Sequence, residues 1–133
     1  VDIVHDVGRS INPAIDRGQI EGAYVQGMGW LTMEECIWDK RGKLLTHGPS
    51  TYKIPVAGDV PEHFRVSLFD GENIKPTPHR SKAVGEPPLM LALSAYFALR
   101  DAVAATAPAK VLSMDAPATP ERILLACEGL RAA

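Results

Sequence analysis

The sequence has 133 residues, of which 46% are apolar and 23% are charged, and this balance suits one globular domain rather than a disordered chain. Its 14 basic and 16 acidic side chains give a net charge of −2. Neither half of the chain has the strongly basic character typical of nucleic-acid binding, so we expect no nucleic-acid partner. Arg100 and Asp101 interrupt the most apolar stretch, residues 89–107, and we therefore expect no membrane span.

The cysteines and the first residues of the chain bear on its cellular location and on whether it is a fragment. Cys36 and Cys127 are far apart and follow no signal peptide, which favours a reducing compartment and a cytoplasmic location. The chain begins at Val1 inside a β-rich run, without an initiator Met or a helix cap. We therefore expect a fragment cut within a strand, which would contribute only one wall of any site.

Local patterns predict an α+β fold, with an all-α fold as the rival. Alternation, turn residues and proline positions favour three strand regions, two main helices and a short last helix: strands near 1–5, 36–46 and 64–69, helices near 14–34 and 87–105, and a helix from 120 to about 129. The middle strand region is predicted as a hairpin around a turn at 39–42. Thr119 is the expected N-cap of the last helix.

The first predicted helix has an unusual glycine pattern. Gly18, Gly22 and Gly29 lie within about 40° of one another at 100° per residue, and each costs about 1 kcal/mol relative to Ala inside a helix. Close approach of another backbone or a ligand would compensate for that cost. Gln19 and Gln26, seven residues apart, lie beside this stripe and place two amides along one groove.

Most catalytic signatures are absent. The four histidines form no metal-ligand pair with one another or with cysteine, so we expect no protein-ligated metal, and residues 27–29 lack the third glycine of a dinucleotide fingerprint. Glu86 is different, since it stands where an extended stretch meets a helix start, with Gly85 before it and two prolines after it. A carboxylate held there suits a general base, yet an ordinary solvated acid at a helix start fits the same position.

Four longer motifs distinguish these alternatives. They are residues 18–29 (GQIEGAYVQGMG), 48–55 (GPSTYKIP), 64–68 (FRVSL) and 81–89 (SKAVGEPPL). In order and spacing they resemble the C-terminal part of the molybdenum-binding region of xanthine dehydrogenases, in the molybdenum hydroxylase family. The resemblance covers about residues 1–127, and it implies that residues 1–133 are a C-terminal fragment of the molybdopterin-binding domain.

The resemblance implies roles for three residues. Glu86 corresponds to the family's active-site glutamate, the general base that activates the oxygen nucleophile for attack on the purine carbon. Gln19 corresponds to a glutamine that hydrogen-bonds near the molybdenum and its pterin, and Gly85 to the glycine beside the catalytic carboxylate. The implied cofactor is molybdenum-molybdopterin, with iron–sulfur clusters and FAD elsewhere in the complete enzyme and NAD as electron acceptor.

The resemblance supports two functional hypotheses, and a third comes from another class. The first is part of a xanthine dehydrogenase that hydroxylates hypoxanthine or xanthine to urate, the second a related hydroxylase of aldehydes or other N-heterocycles, and the third a non-catalytic structural fragment. The expected partners are a purine substrate, the remaining segments of the molybdenum domain and the iron–sulfur and flavin domains. The chain alone is expected to be inactive and to form an oligomer through its uncovered faces.

Overall fold

A two-stranded sheet and three α-helices make up the regular structure of residues 1–132, which the computed structural model describes. In chain order these elements are β1 Asp2–His5, α1 Pro13–Thr32, β2 Arg65–Leu68, α2 Leu93–Ala104 and α3 Pro120–Ala132, with short 3-10 helices at Ala57–Asp59, Pro78–Arg80 and Pro87–Ala92. The predicted α+β class is confirmed. None of the helices in these residues has the length and apolar character that spanning a lipid bilayer requires.

The chain divides into two compact units, and the first comprises residues 1–27 and 56–92. Its sheet pairs β1 with β2 in parallel, and Ile3 lies opposite Val66. The Arg65 guanidinium donates to both carboxylate oxygens of Asp2 at 2.5 and 2.8 Å, and this partner lowers the pKa of Asp2. Parallel strands need a long connection, and here about 60 residues separate the two.

The core of the first unit includes side chains from the middle of α1 and from the segments next to the two strands. Ile20 and Tyr24, one helical turn apart, are 0% and 1% exposed, and Val7 just after β1 is equally buried. The Tyr24 ring lies 5.3 Å from the Phe64 ring, in a tilted arrangement. These contacts fix the middle of α1, from which the candidate site is built.

The start of α1 matches its prediction closely. Asn12 caps the helix, since its side-chain oxygen accepts hydrogen bonds from the backbone N–H groups of Ala14 and Ile15 at 3.2 Å each. The expected crowding along the glycine stripe is found at one position only among the described residues. A Cβ on Gly29 would lie 2.5 Å from the Pro55 side chain, whereas one on Gly18 or Gly22 would meet nothing within 4 Å.

The second unit contains residues 28–55 and the chain from Leu93 onward. The predicted strands at 36–46 are wrong as regular strands, because only one antiparallel bridge, between Trp38 and Leu44, joins the two arms. The turn itself forms as expected, with Asp39 accepting from the N–H groups of Arg41 and Lys43. An isolated two-stranded hairpin is marginal without a third strand or a packed face, and Trp38 is 60% exposed.

The same unit contains a phenol paired with a carboxylate. The Tyr52 hydroxyl donates to Oε2 of Glu34 at 2.6 Å. This hydrogen bond, with smaller contributions from desolvation and from the negative charge, raises the pKa of Tyr52 to about 12.

Two helix predictions need correction in detail. The helix expected over 87–105 begins as a 3-10 helix at Pro87–Ala92 and becomes α-helical only at Leu93, and 3-10 turns of this kind are frequent where α-helices begin. The last helix continues beyond Gly129 to Ala132. Its start is as predicted, since Thr119 Oγ1 accepts from the Arg122 N–H at 3.4 Å.

Candidate active site

A cleft of about 930 Å³ opens within the first unit beside α1. Its lining comes from α1 and from the segment around the 3-10 helix at Pro87–Ala92, and it consists of Ala23, Gln26, Ala83, Gly85, Glu86, Pro87, Leu89 and Met90. Most of these residues are apolar, and Gln26 and Glu86 supply the two polar side chains. A mostly apolar cleft with a few polar groups is typical of small-molecule and cofactor sites.

Glu86 lies immediately before this 3-10 helix and is exposed to the cleft. Its backbone carbonyl accepts the N–H of Leu89 at 3.1 Å, which begins the helical turn. Among residues 1–132, no hydrogen bond or ion pair reaches its carboxylate. The side chain is therefore available to accept a proton from a molecule in the cleft.

The segment after Glu86 is held against α1 by close backbone contact. Pro88 and Ala92 are buried, and α1 presents Gly27 to them. A Cβ on Gly27 would lie 2.6 Å from the Leu89 carbonyl oxygen and 2.7 Å from Ala92 Cβ. Gly27 therefore permits the close packing that fixes this wall of the cleft.

The two glutamines predicted to share a groove are placed differently relative to the cleft. Gln26 lines it together with Gly85 and Glu86, although Gln19 was the predicted cofactor contact. Gln19 is exposed on α1, and seven residues of helix place it about 10 Å further along the axis. The periodicity identified the Gln26 amide, but no feature of the sequence singled it out over Gln19.

Two basic residues upstream of Glu86 serve as structural partners. Lys82 forms an ion pair with Asp6 and lowers the pKa of that carboxyl group, with help from the Gly8 N–H. The Arg80 guanidinium donates to the carbonyl of Lys75 at 3.3 Å and to that of Ile74 at 3.5 Å. Local sequence patterns do not predict these contacts, because the partner of Lys82 is distant in sequence and the partners of Arg80 are backbone atoms.

The residues of the cleft fit one wall of a pterin-sized group. Gln26 offers both a donor and an acceptor, and Glu86 offers an acceptor. A Cβ on Gly85 would meet nothing within 4 Å, so a bound group can approach the backbone there. Within the described residues, no three His, Cys, Asp or Glu side chains cluster as a metal site.

Comparisons with known proteins connect this geometry to a family. Residues 1–61 match the family model described as the molybdopterin cofactor-binding domain. The crystal structure of quinoline 2-oxidoreductase from Pseudomonas putida 86 superposes with a TM-score of 0.82 at 34% identity, covering 96% of this chain and 16% of that one. A Cu,Mo-containing CO dehydrogenase shares the fold, with a TM-score of 0.79 at 24% identity over 98% of this chain and 16% of its own.

The predicted resemblance to the molybdenum hydroxylases is therefore confirmed by sequence and by fold. The chain is 52% identical to the xanthine dehydrogenase/oxidase of Felis catus and 55% identical to that of Mus musculus, each over 95% of this chain. Xanthine dehydrogenase 1 of Arabidopsis thaliana is 49% identical over the same share. The chain spans about a tenth of the length of these curated relatives.

Proposed function

We propose that this chain forms one wall of the molybdopterin site of a xanthine dehydrogenase, in which Glu86 is the general base for the hydroxylation of hypoxanthine and xanthine to urate. The observation that carries the proposal is the Glu86 carboxylate, which is exposed to the cleft and has no partner among residues 1–132. Relatives named xanthine dehydrogenase, at about half identity, support the choice of substrate.

The reaction defines what the residues of this wall must do. Hydroxylation replaces a ring C–H with C–OH, takes its oxygen from water and releases two electrons and two protons. When bound, a molybdenum-molybdopterin cofactor supplies the acceptor for the two electrons. The Glu86 carboxylate accepts the proton that the oxygen nucleophile loses as it attacks the purine carbon.

The other lining residues support that proton transfer. Pro87 and the buried Pro88 stiffen the backbone beside Glu86, which limits the positions its carboxylate can adopt. Leu89 and Met90 cover part of the cleft with apolar surface and reduce water access to the base. Gly85 leaves the backbone open to the bound group.

Further partners complete the proposed enzyme. Because the chain spans a small part of its relatives, we propose that the remaining molybdenum-domain segments supply most pterin and substrate contacts. Iron–sulfur clusters and FAD then carry electrons to NAD in other domains. The proposed location is cytoplasmic.

A second candidate is a hydroxylase of another N-heterocycle or of an aldehyde. The superposition on quinoline 2-oxidoreductase, at 34% identity, favours this alternative, because an enzyme named for a different ring substrate has a similar fold in this region. The cleft residues of this chain contain one base and one amide, which suit either class.

Steady-state rates of the full-length enzyme separate the two candidates. We expect kcat/KM for xanthine to exceed those for quinoline and for an aromatic aldehyde by at least roughly tenfold, at equal molybdenum content. Comparable or faster turnover of quinoline or the aldehyde would reject the xanthine assignment. It would leave the role of Glu86 untouched, since all three substrates need the base.

A further inference from the structure

Two anchored stretches of the first unit flank Glu86. On its C-terminal side, Pro88 is buried and the 3-10 helix packs on α1. On its N-terminal side, the nearest hydrogen-bonded backbone is at residues 80–82. Between that anchor and Glu86, Ala83 and Gly85 are exposed and Val84 is half-buried. The position of the Glu86 carboxylate therefore depends on how residues 80–82 are held.

Residues 80–82 are held by the turn that follows β1. The Lys82 N–H donates to the Val7 carbonyl at 2.8 Å, and the Arg9 N–H donates to the Arg80 carbonyl at 3.0 Å. Gly8 lies opposite Ser81 in an antiparallel bridge between these bonds. Because Val7 is 1% exposed, the attachment is rooted in the core of the unit.

The attachment requires glycine at position 8. Gly8 has a φ of +61°, and a Cβ placed on it would overlap the Arg80 carbonyl oxygen and lie 3.2 Å from the Lys82 nitrogen. Asp6 reinforces the same turn, since Oδ1 accepts the Gly8 N–H at 2.8 Å and Oδ2 accepts from the Lys82 ammonium group. Asp6 thus links the end of β1 to the segment that leads to Glu86.

The turn at Pro78–Arg80, which leads into residues 80–82, has an unfavourable backbone conformation. His79 and Arg80 both adopt left-handed conformations, with φ of +53° and +58°, which are unfavourable for residues that carry a Cβ atom. Its contacts compensate, since the Arg80 carbonyl also accepts the Asn73 N–H at 2.9 Å and Thr77 Oγ1 donates to the Ser81 carbonyl at 2.7 Å. Loss of the bonds from the Gly8 side would leave this turn less well determined.

We propose that Gly8 and Asp6 are positioning residues that set the place of the Glu86 carboxylate through residues 80–82. The proposal rests on the proposed role of Glu86 as the base. A displacement of about 1 Å in a reacting group can cost roughly a hundredfold in rate, so a modest shift of this segment is enough to matter.

The test compares Gly8→Ala with Gly42→Ala in the full-length enzyme. Gly42 is a matched control because its φ is +79° but a Cβ there would meet nothing within 4 Å. Both variants place an alanine in an unfavourable left-handed conformation, but only Gly8→Ala also brings a methyl group into contact with residues 80–82 and displaces them. For Gly8→Ala we expect kcat to fall at least roughly tenfold with KM and molybdenum content little changed, while Gly42→Ala keeps its kcat.

Hydrogen exchange provides a readout that does not depend on turnover. The Arg9 and Lys82 amides should exchange at least roughly tenfold faster in Gly8→Ala and at the wild-type rate in Gly42→Ala. A kcat for Gly8→Ala within twofold of wild type, an unchanged Lys82 amide or an equal loss of kcat in Gly42→Ala would each overturn the proposal.

A second pair of variants keeps the test decisive if Gly8→Ala does not fold. Asp6→Asn retains an oxygen that can accept the Gly8 N–H, whereas Asp6→Ala removes it, so kcat should fall several-fold more in Asp6→Ala. Equal values of kcat for the two variants would count against the proposal. Glu86→Gln is measured alongside: if it loses activity and the Gly8 and Asp6 variants do not, only the positioning role fails, and if it keeps activity, the proposed function itself fails.

Discussion

The close packing of α1 on the wall of the cleft can be tested at two glycines of the same helix. Gly27 and Gly22 both lie inside α1, where replacing glycine with alanine gains about 1 kcal/mol of helix propensity. Gly22→Ala adds a methyl group into open space, so this variant should raise the free energy of unfolding by about that amount.

Gly27→Ala should behave oppositely, because its methyl group would lie 2.6 Å from the Leu89 carbonyl oxygen and 2.7 Å from Ala92 Cβ. Carbon atoms in good contact are about 3.5–4.0 Å apart, so the segment 89–92 must shift by roughly 1 Å. Overpacking of this kind costs about 1–3 kcal/mol. The propensity gain is common to both variants and cancels in the comparison, which leaves Gly27→Ala about 1–3 kcal/mol less stable than Gly22→Ala.

Urea unfolding of the chain, followed by far-UV circular dichroism at matched protein concentration, measures this difference directly. The two variants should share the wild-type m-value, so that the midpoints report stability alone. Equal midpoints for Gly27→Ala and Gly22→Ala would refute the close approach of α1 to residues 89–92.

Three further predictions concern titration, the cofactor and the isolated chain. The tyrosinate absorbance of Tyr52, measured as the difference between wild type and Tyr52→Phe, should titrate near pH 12, and Glu34→Gln should return this pKa toward 10. Because the pKa of Tyr52 is raised in the folded state, the stabilisation from its bond to Glu34 is present below about pH 10 and is lost between pH 10 and 12. A Tyr52 pKa near 10 in the wild type would contradict the hydrogen bond between Tyr52 and Glu34. Gln19→Ala in the full-length enzyme should lower molybdenum occupancy or kcat roughly two- to tenfold, and wild-type values for both would exclude Gln19 from the site. The isolated chain should bind no molybdopterin, form no urate and sediment as an oligomer at tens of micromolar; a clean monomer would contradict the oligomer, and urate formation would contradict an incomplete site.

The sequence predicted local structure better than long-range pairing. The start of α3 at Thr119 was predicted from capping chemistry, which depends on residues a few positions apart, and α1 begins at Pro13, one residue before its predicted start. The parallel pairing of β1 with β2 could not be predicted, because its register depends on how about 60 intervening residues fold. The hairpin around Asp39 formed its turn but not its strands, since turn residues determine the reversal and a packed face determines the ladder.

The candidate site shows the same division. Glu86 was predicted from its junction position and its motif, both of which are local. The attachment at Gly8 was not, because the one sign of it in the sequence was a glycine in a turn, and its partners at residues 80–82 lie about 70 positions away. The Gln26 amide shares a helix face with Gln19, so periodicity placed both in one groove without indicating which of them lines the cleft.

Replacement of Glu86 by glutamine tests the central claim most directly. Glu86→Gln keeps the size and hydrogen-bonding capacity of the side chain and removes its ability to accept a proton, and Glu62→Gln makes the same change at an exposed acid that does not line the cleft. In the full-length enzyme with molybdenum fully loaded, we expect Glu86→Gln to lower kcat for xanthine by roughly 10²–10⁴-fold and Glu62→Gln to leave it unchanged. Retention of more than about a tenth of wild-type turnover by Glu86→Gln would contradict its role as the base.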